Sequence, residues 1–170
     1  MDLTTDAVRS AMHHFRISRS FPDVSDPRKA KLVVNAINSA RTGNPVENVD
    51  LLTRKFKKDF KSYNLSAASK LLWCRDRSPY LVFDSRAVKT LKKLGRKFNS
   101  RSYESYETAW RAAYSDHEKE IAASARGLPD LQPFFAHWHS TKNSIRQVAR
   151  ERWFRERVFD LALWENGSDS

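Results

Sequence analysis

Apolar residues recur along most of this chain at three- and four-residue intervals, the period of a helix with one buried face. Val8, Met12 and Phe15 form one such stripe behind Thr4 and Thr5, either of which can cap the helix start with its hydroxyl. Pro22 and Pro27 interrupt the pattern. Asp26 then predicts an N-cap with Pro27 in the first turn, ahead of the stripe Ala30, Val33, Val34, Ile37 and Ala40. A third helix is expected behind Asn48 as its cap, with Val49, Leu52, Phe56 and Phe60 inward. A fourth is expected over Ser66 to Arg75, carrying Leu71, Leu72 and Trp73.

Pro79 stops the helical period. Tyr80-Leu81-Val82-Phe83 is a short apolar run with no alternating partner nearby, so it reads as an extended buried connection rather than a strand. Asp84 stands where an N-cap belongs, before Val88, Leu91 and Leu94, and Gly95 ends that helix. A long helix is predicted from Ser102 toward Arg126, with Tyr106, Trp110, Tyr114 or Ala113, His117 and Ile121 facing inward. Pro129 and Pro133 frame a loop, and Phe134, Phe135 and Trp138 begin a short helix. The last helix is expected from Thr141 to Leu163, burying Ile145, Val148, Ala149, Phe159 and Leu163. Gly43, Gly95 and Gly127 each follow a helical stretch, where a left-handed residue commonly closes a helix. The pattern predicts an all-α fold, an orthogonal bundle of about eight helices. Without a Gly/Ser linker or repeat, residues 1–165 read as a single domain and 166–170 as a frayed polar tail.

Composition supports a packed core: 40% of the 170 residues are hydrophobic, and five Trp and ten Phe argue against wholesale disorder. The one cysteine, Cys74, excludes an internal disulfide framework and any cysteine-cluster site, an iron–sulfur loop included. His13-His14 and His137-x-His139 lack the i, i+4 spacing that brings two metal ligands together on a helix, so neither metal nor other cofactor is expected. No apolar run is long enough to cross a membrane. The first residues lack the pattern of a secretory signal, so a cytoplasmic protein is expected.

Charge narrows the choice of partner. Thirty-one Lys and Arg against 20 Asp and Glu leave a formal net charge of +11, which favours a polyanion, nucleic acid ahead of an anionic membrane. The excess is uneven. Between Ser85 and Tyr103 stand Arg86, Lys89, Lys92, Lys93, Arg96, Lys97 and Arg101, with no acid among them. A second run covers Arg54 to Lys61, and a third, mixed with Glu151 and Glu156, covers Arg146 to Arg157. A solvated helix face normally interleaves acids, and the first run also opens at a helix N-terminus, which favours anions. Arg86, Lys89, Lys92, Lys93, Arg96 and Lys97 are therefore the candidate phosphate contacts.

The chemistry-bearing segment runs from Ser66 to Arg86. It places Lys70 near the start of an apolar helix and Asp84 at the cap of the next. Burial lowers a lysine's pKa and makes the amine a competent nucleophile. A carboxylate fixed by backbone donors can offset a cation developing beside it. An amine next to such a carboxylate suits attack at an acetal carbon, as in N-glycosidic bond cleavage. Spacing alone favours the plainer reading, with Asp84 a helix cap and Lys70 a side chain that reaches solvent.

The wording Ser69-Lys70-Leu71-Leu72-Trp73, followed by Val82-Phe83-Asp84-Ser85-Arg86-Ala87-Val88, resembles the helix–connection–helix core of the HhH-GPD superfamily of DNA glycosylases. It is most similar to divergent bacterial members of the 8-oxoguanine-glycosylase-like, OGG-fold branch. The resemblance implies that Lys70 and Asp84 are the catalytic lysine and aspartate. It places Ser66-Ala67-Ala68-Ser69 where the family has a Gly-x-Gly hairpin, so Ser66 and Ser69 become candidate DNA contacts. Cys74, one turn beyond Lys70, matches a cysteine of the family's base pocket, and Trp73, Tyr80, Phe83 and Trp138 are the aromatic candidates for it. Phe134, Phe135 and His137 are further wedge candidates.

The activity so implied is excision of a modified base flipped out of double-stranded DNA, by a protein expected to act as a monomer. The base is either a hypermodified phage base such as glucosylated hydroxymethylcytosine, in anti-phage defence, or an oxidised purine in repair. Two other classes remain open on the sequence: a non-catalytic basic DNA-binding module, and a helical scaffold for an acidic partner.

Overall fold

Thr4 accepts a hydrogen bond from the Ala7 N–H through its hydroxyl at 3.3 Å and so starts α1 (Thr5–His14), which buries Val8 and Met12. The computed structural model describes residues 2–18, 21, 25–128 and 141–168. Among them lie eight helices and no strand. They fall into two compact units: Met1–Asp84 with Asn99–Ser105, and Ser85–Phe98 with Tyr106–Ser170. No glycine or proline linker marks the division, which is why the sequence pattern reads as one domain.

In the first unit, α2 (Pro27–Ser39) begins as its sequence predicts, the Asp26 carboxylate accepting from the Arg28 N–H at 2.8 Å. Its stripe of Ala30, Val33, Val34 and Ile37 is buried. The start of α3 (Pro45–Phe60) is a correction. Asn44, not Asn48, caps it, its side-chain oxygen accepting from Val46 and Glu47 N–H at 2.9 and 3.4 Å. Asn44-Pro45 is the same cap-then-proline signal as Asp26-Pro27. Asn48 lies inside the helix and is buried, taking the Thr42 N–H at 2.8 Å and donating to the Tyr80 hydroxyl at 2.9 Å. Phe56 and Phe60 close edge-on around Phe21 at 4.7 and 5.3 Å between ring centres, the aromatic centre of this unit.

Lys61 takes a left-handed conformation after α3, and Asn64 caps α4 (Leu65–Arg75), accepting from the Ala67 N–H at 2.9 Å. This helix is buried nearly all round and packs against α1, α2 and α3. Tyr80, Leu81 and Val82 then run buried and extended without pairing as a strand, as the pattern predicts. The Tyr103 hydroxyl stands in for the missing partner strand. It accepts from the Leu81 N–H and donates to the Leu81 carbonyl, both at 2.9 Å.

The second unit holds α5 (Ser85–Lys93), α6 (Tyr103–Gly127) beyond its first turn, α7 (Lys142–Val148) and α8 (Arg152–Asn166). α5 buries Ala87, Val88, Thr90 and Leu91 against α8, and the Thr90 hydroxyl donates to the Leu163 carbonyl at 2.7 Å. Gly95 carries the left-handed φ of +78° expected after α5. Gly127 does not: it is the last residue of α6 and has no positive φ. On α6, Tyr106, Trp110, Ala113, Tyr114 and Ile121 are buried, while His117 is partly exposed.

The single helix expected from Thr141 to Leu163 is two, broken at Ala149–Glu151. Thr141 caps α7 through its hydroxyl, and Glu151 leaves helical geometry at ψ 137° before α8. No glycine or proline announces this break. Asn166, expected in the tail, ends α8, and Gly167 is buried where an added Cβ would collide with the Arg86 main chain. The short helix expected around Phe134, Phe135 and Trp138 lies outside the described residues.

Candidate functional site

Lys70 sits on the buried face of α4, with its side chain 9% exposed, and its Nζ donates to Asp84 Oδ2 at 2.8 Å. The Asp84 side chain is 19% exposed. Both residues belong to the first unit. The contact depends on the preceding residue. The Ser69 hydroxyl accepts the Phe83 N–H at 2.9 Å and donates to the Ser66 carbonyl at 3.2 Å. Residues 69 and 70 of the helix therefore meet 83 and 84 of the extended connection in step, and Asp84 is delivered to the amine.

An aromatic ring flanks the amine. The Phe15 ring centre, just past the end of α1, lies 5.7 Å from Lys70 Nζ. Phe15 in turn meets Trp73 edge-on at 6.2 Å and an angle of 88°. A cation against an aromatic face gains electrostatic stabilisation, so the Phe15 ring helps hold the Lys70 side chain in place. Sequence reasoning had Phe15 only as the end of a helical stripe, because nothing local links it to a residue 55 positions away.

The other sequence candidates separate into groups. Trp73, Cys74 and Phe83 are half-buried beside the pair in sequence, and Ser66 is half-buried in the first turn of α4. Ser66 to Ser69 form helix rather than a hairpin, and Ser69 is fully buried with its hydroxyl engaged twice, so it cannot reach a DNA phosphate. Tyr80 is likewise a core residue rather than a pocket wall: it is buried, and its hydroxyl accepts from Asn48 at 2.9 Å and from Arg75 at 3.1 Å. Trp138, with Phe134, Phe135 and His137, lies outside the described residues.

Arg75 is the residue that sequence reading passed over. It is buried, and its guanidinium caps the end of α2 through the Ile37 and Ala40 carbonyls while pairing with Asp76 at 2.6 Å. A basic side chain on the last carbonyls of a helix is stabilising. It fixes the C-terminal end of α4 as Ser69 fixes the other.

Of the cations on and just after α5 in the second unit, Lys89, Lys92 and Lys97 are exposed. Lys93 is exposed too, and reaches the Asn166 carbonyl at 3.4 Å. Arg86 lies over the Trp164 ring, 4.2 Å from its centre. Arg96 is ion-paired with Asp116 of α6, which removes it from the simple phosphate grip. An acid-free run in sequence is thus not acid-free in space.

No protein-family model, curated protein or solved structure matches this chain. Among the described residues no helix is long and apolar enough to cross a membrane, and no cluster of three or more His, Cys, Asp and Glu could hold a metal ion. What the first unit offers chemically is an amine and a carboxylate in contact, largely withdrawn from water and held in register.

Proposed function

We propose that this protein is a DNA glycosylase of the HhH-GPD type, OGG-fold branch, in which Asp84 and Lys70 cleave the N-glycosidic bond of a modified base. The observation that carries the reading is the 2.8 Å contact between Lys70 Nζ and Asp84 Oδ2, two residues picked out beforehand for joint chemistry and separated by 14 positions in the chain. Net charge of +11 and the exposed lysines of α5 support a duplex DNA partner.

In this mechanism the target nucleotide leaves the stack at a cost of a few kcal/mol, roughly. As the bond from C1′ to the base breaks, its electron pair departs with the base and positive charge grows on the sugar. The Asp84 carboxylate offsets that charge. In the hydrolytic course a water adds to C1′, passes a proton to Asp84, and the base takes up a proton as it leaves. In the lyase course Lys70 first gives a proton to Asp84, and the neutral amine adds to C1′. The adduct opens to a Schiff base as the ring oxygen takes a proton, and loss of a C2′ proton expels the 3′ phosphate.

A hypermodified phage base, such as glucosylated hydroxymethylcytosine, is the substrate favoured, and an oxidised purine is the alternative. The protein acts as a cytoplasmic monomer in this reading. The test incubates it with glucosylated phage DNA and with an 8-oxoguanine duplex, then adds borohydride. A covalent adduct lost in Lys70→Met is the expected signature of the lyase course; base release without trapping, lost in Asp84→Asn, is that of hydrolysis. Neither adduct nor released base from either DNA overturns the proposal.

A further inference from the structure

Two of the buried polar atoms that have no hydrogen-bond partner among the described residues line one cavity of the second unit: the Tyr114 hydroxyl on α6 and Arg155 Nε on α8. The cavity measures about 360 Å³ and is also lined by Arg111, Ser115, Glu118 and Arg152. Buried groups of this kind are rarely left unsatisfied in folded proteins, so two at one cavity call for an occupant. Tyr114 is 7% exposed and cannot turn away. Its ring is stacked on Trp110 at 5.2 Å and 10°, and meets Phe159 edge-on at 5.7 Å. Trp110 is itself anchored, its Nε1–H donating to Asp160 at 2.8 Å.

Both orphaned groups are donors. Arg155 Nε–H can only donate, and burial pushes the Tyr114 phenol above its ordinary pKa, so at neutral pH it stays an O–H. The occupant must therefore present acceptors. The charges around it are set by pairing. Arg111 is held by Glu107 at 2.6 Å, and Arg152 by Glu156 at 3.0 Å, with Arg111 also 3.8 Å from Glu156. Among the described residues no carboxylate lies within ion-pair distance of Arg155, and its buried Nε–H is unscreened by water. Glu118 opposes an anion, but it is exposed at the rim, where solvent screens it.

We infer that this cavity binds the phosphate group of a phosphorylated ligand, with Arg155 and Tyr114 donating to its oxygens and Arg152 and Arg111 around it. A cavity of 360 Å³ exceeds what a phosphate alone fills, and leaves Ser115 and Glu118 to meet hydroxyls of an attached sugar. The phosphate is either the terminal group of a free nucleotide or part of a nucleic-acid backbone, and the chemistry required of the site is the same. This inference does not rest on the glycosylase reading, since every residue in it lies outside the unit that holds Lys70 and Asp84.

The test measures the melting temperature and binding heat of the full chain with inorganic phosphate, against sodium chloride at equal ionic strength. A saturable rise specific to phosphate is expected. Arg155→Gln should weaken phosphate binding about tenfold or more, and Tyr114→Phe about fivefold, as loss of a charged and a neutral hydrogen bond implies. Tyr114→Phe keeps the stacked ring and removes a hydroxyl that has no partner, so the phosphate-free variant should be at least as stable as the parent. That behaviour separates a binding role from a structural one. Parallel titrations use a nucleoside 5′-monophosphate and a duplex with 5′-hydroxyl ends. Weakening of the first in both variants assigns a terminal phosphate, and weakening of the second assigns the backbone. Phosphate no better than chloride, or phosphate binding unchanged in both variants, overturns the inference.

Discussion

Asp84→Asn should destabilise this protein more than Lys70→Met, although each removes one charge from the same pair. At 2.8 Å the gross attraction is about 6 kcal/mol for an effective dielectric of about 20. Desolvation of each ion costs several kcal/mol and offsets most of it, so the intact pair is close to neutral against an apolar replacement. Breaking the pair on one side is different, because the surviving charge stays where water is scarce. Lys70 is 9% exposed and Asp84 19%, so the lysine is the more enclosed survivor. Asparagine is nearly isosteric with aspartate and caps a helix start equally well, so that variant tests the charge and little else. We expect a loss of about 3 kcal/mol for Asp84→Asn and about 1.5 for Lys70→Met, by comparison with broken buried pairs. The double variant should lose only about 2 kcal/mol, a coupling of about 2.5. Urea unfolding of all four proteins measures the cycle. Single variants each within about 0.5 kcal/mol of the parent, with no coupling, would refute a desolvated pair and with it the physical basis for the site.

Four further outcomes follow from other parts of the chain. Gly167→Ala should cost about 1–3 kcal/mol in thermal unfolding, because its new Cβ meets the carbonyl, C and Cα of Arg86, main-chain atoms that cannot swing aside. Asn48→Ala should cost about 2 kcal/mol, since it strips the Thr42 N–H of its acceptor and the buried Tyr80 hydroxyl of a donor. Asn44→Ala, which removes only the exposed α3 cap, should cost about 1 kcal/mol. Tyr114 has a folded-state pKa raised above the ordinary 10.0, chiefly by burial. The folded protein therefore holds that proton more tightly than the unfolded chain. Its contribution is fully present below pH 10.0 and is lost as pH rises through the folded-state value. Stability measured against pH should fall less steeply above pH 10.0 in Tyr114→Phe than in the parent, and the late phenolate absorbance should vanish with the substitution.

The helices were legible wherever a local signal announced them. Asp26-Pro27 marked one start correctly, and Asn44-Pro45 carried the same information for α3, though the apolar stripe behind Asn48 drew the boundary four residues late. The break before α8 was not legible. It rests on the extended backbone of Glu151, which leaves no mark in the local sequence. The same limit applies to charge. Arg96 read as part of an acid-free grip because Asp116, its partner, stands 20 positions away on another helix.

The Lys70–Asp84 pair was legible because its two halves each carried a local oddity: a lysine in an apolar helix and an acid after a short apolar run. What sequence could not give is the register that joins them, and that register is set by a residue first read as a DNA contact. The Ser69 hydroxyl holds the Phe83 N–H, and in an extended segment successive side chains point to opposite sides. A slip of one residue would leave the apolar connection equally buried while turning the Asp84 carboxylate away from the amine. Hydrophobic burial is indifferent between the two registers; a directional hydrogen bond is not. The Tyr103 hydroxyl, bonded to both the N–H and the carbonyl of Leu81, pins the same connection three residues before Asp84. Two side-chain hydroxyls reading main-chain groups therefore set the register that brings the carboxylate to the amine.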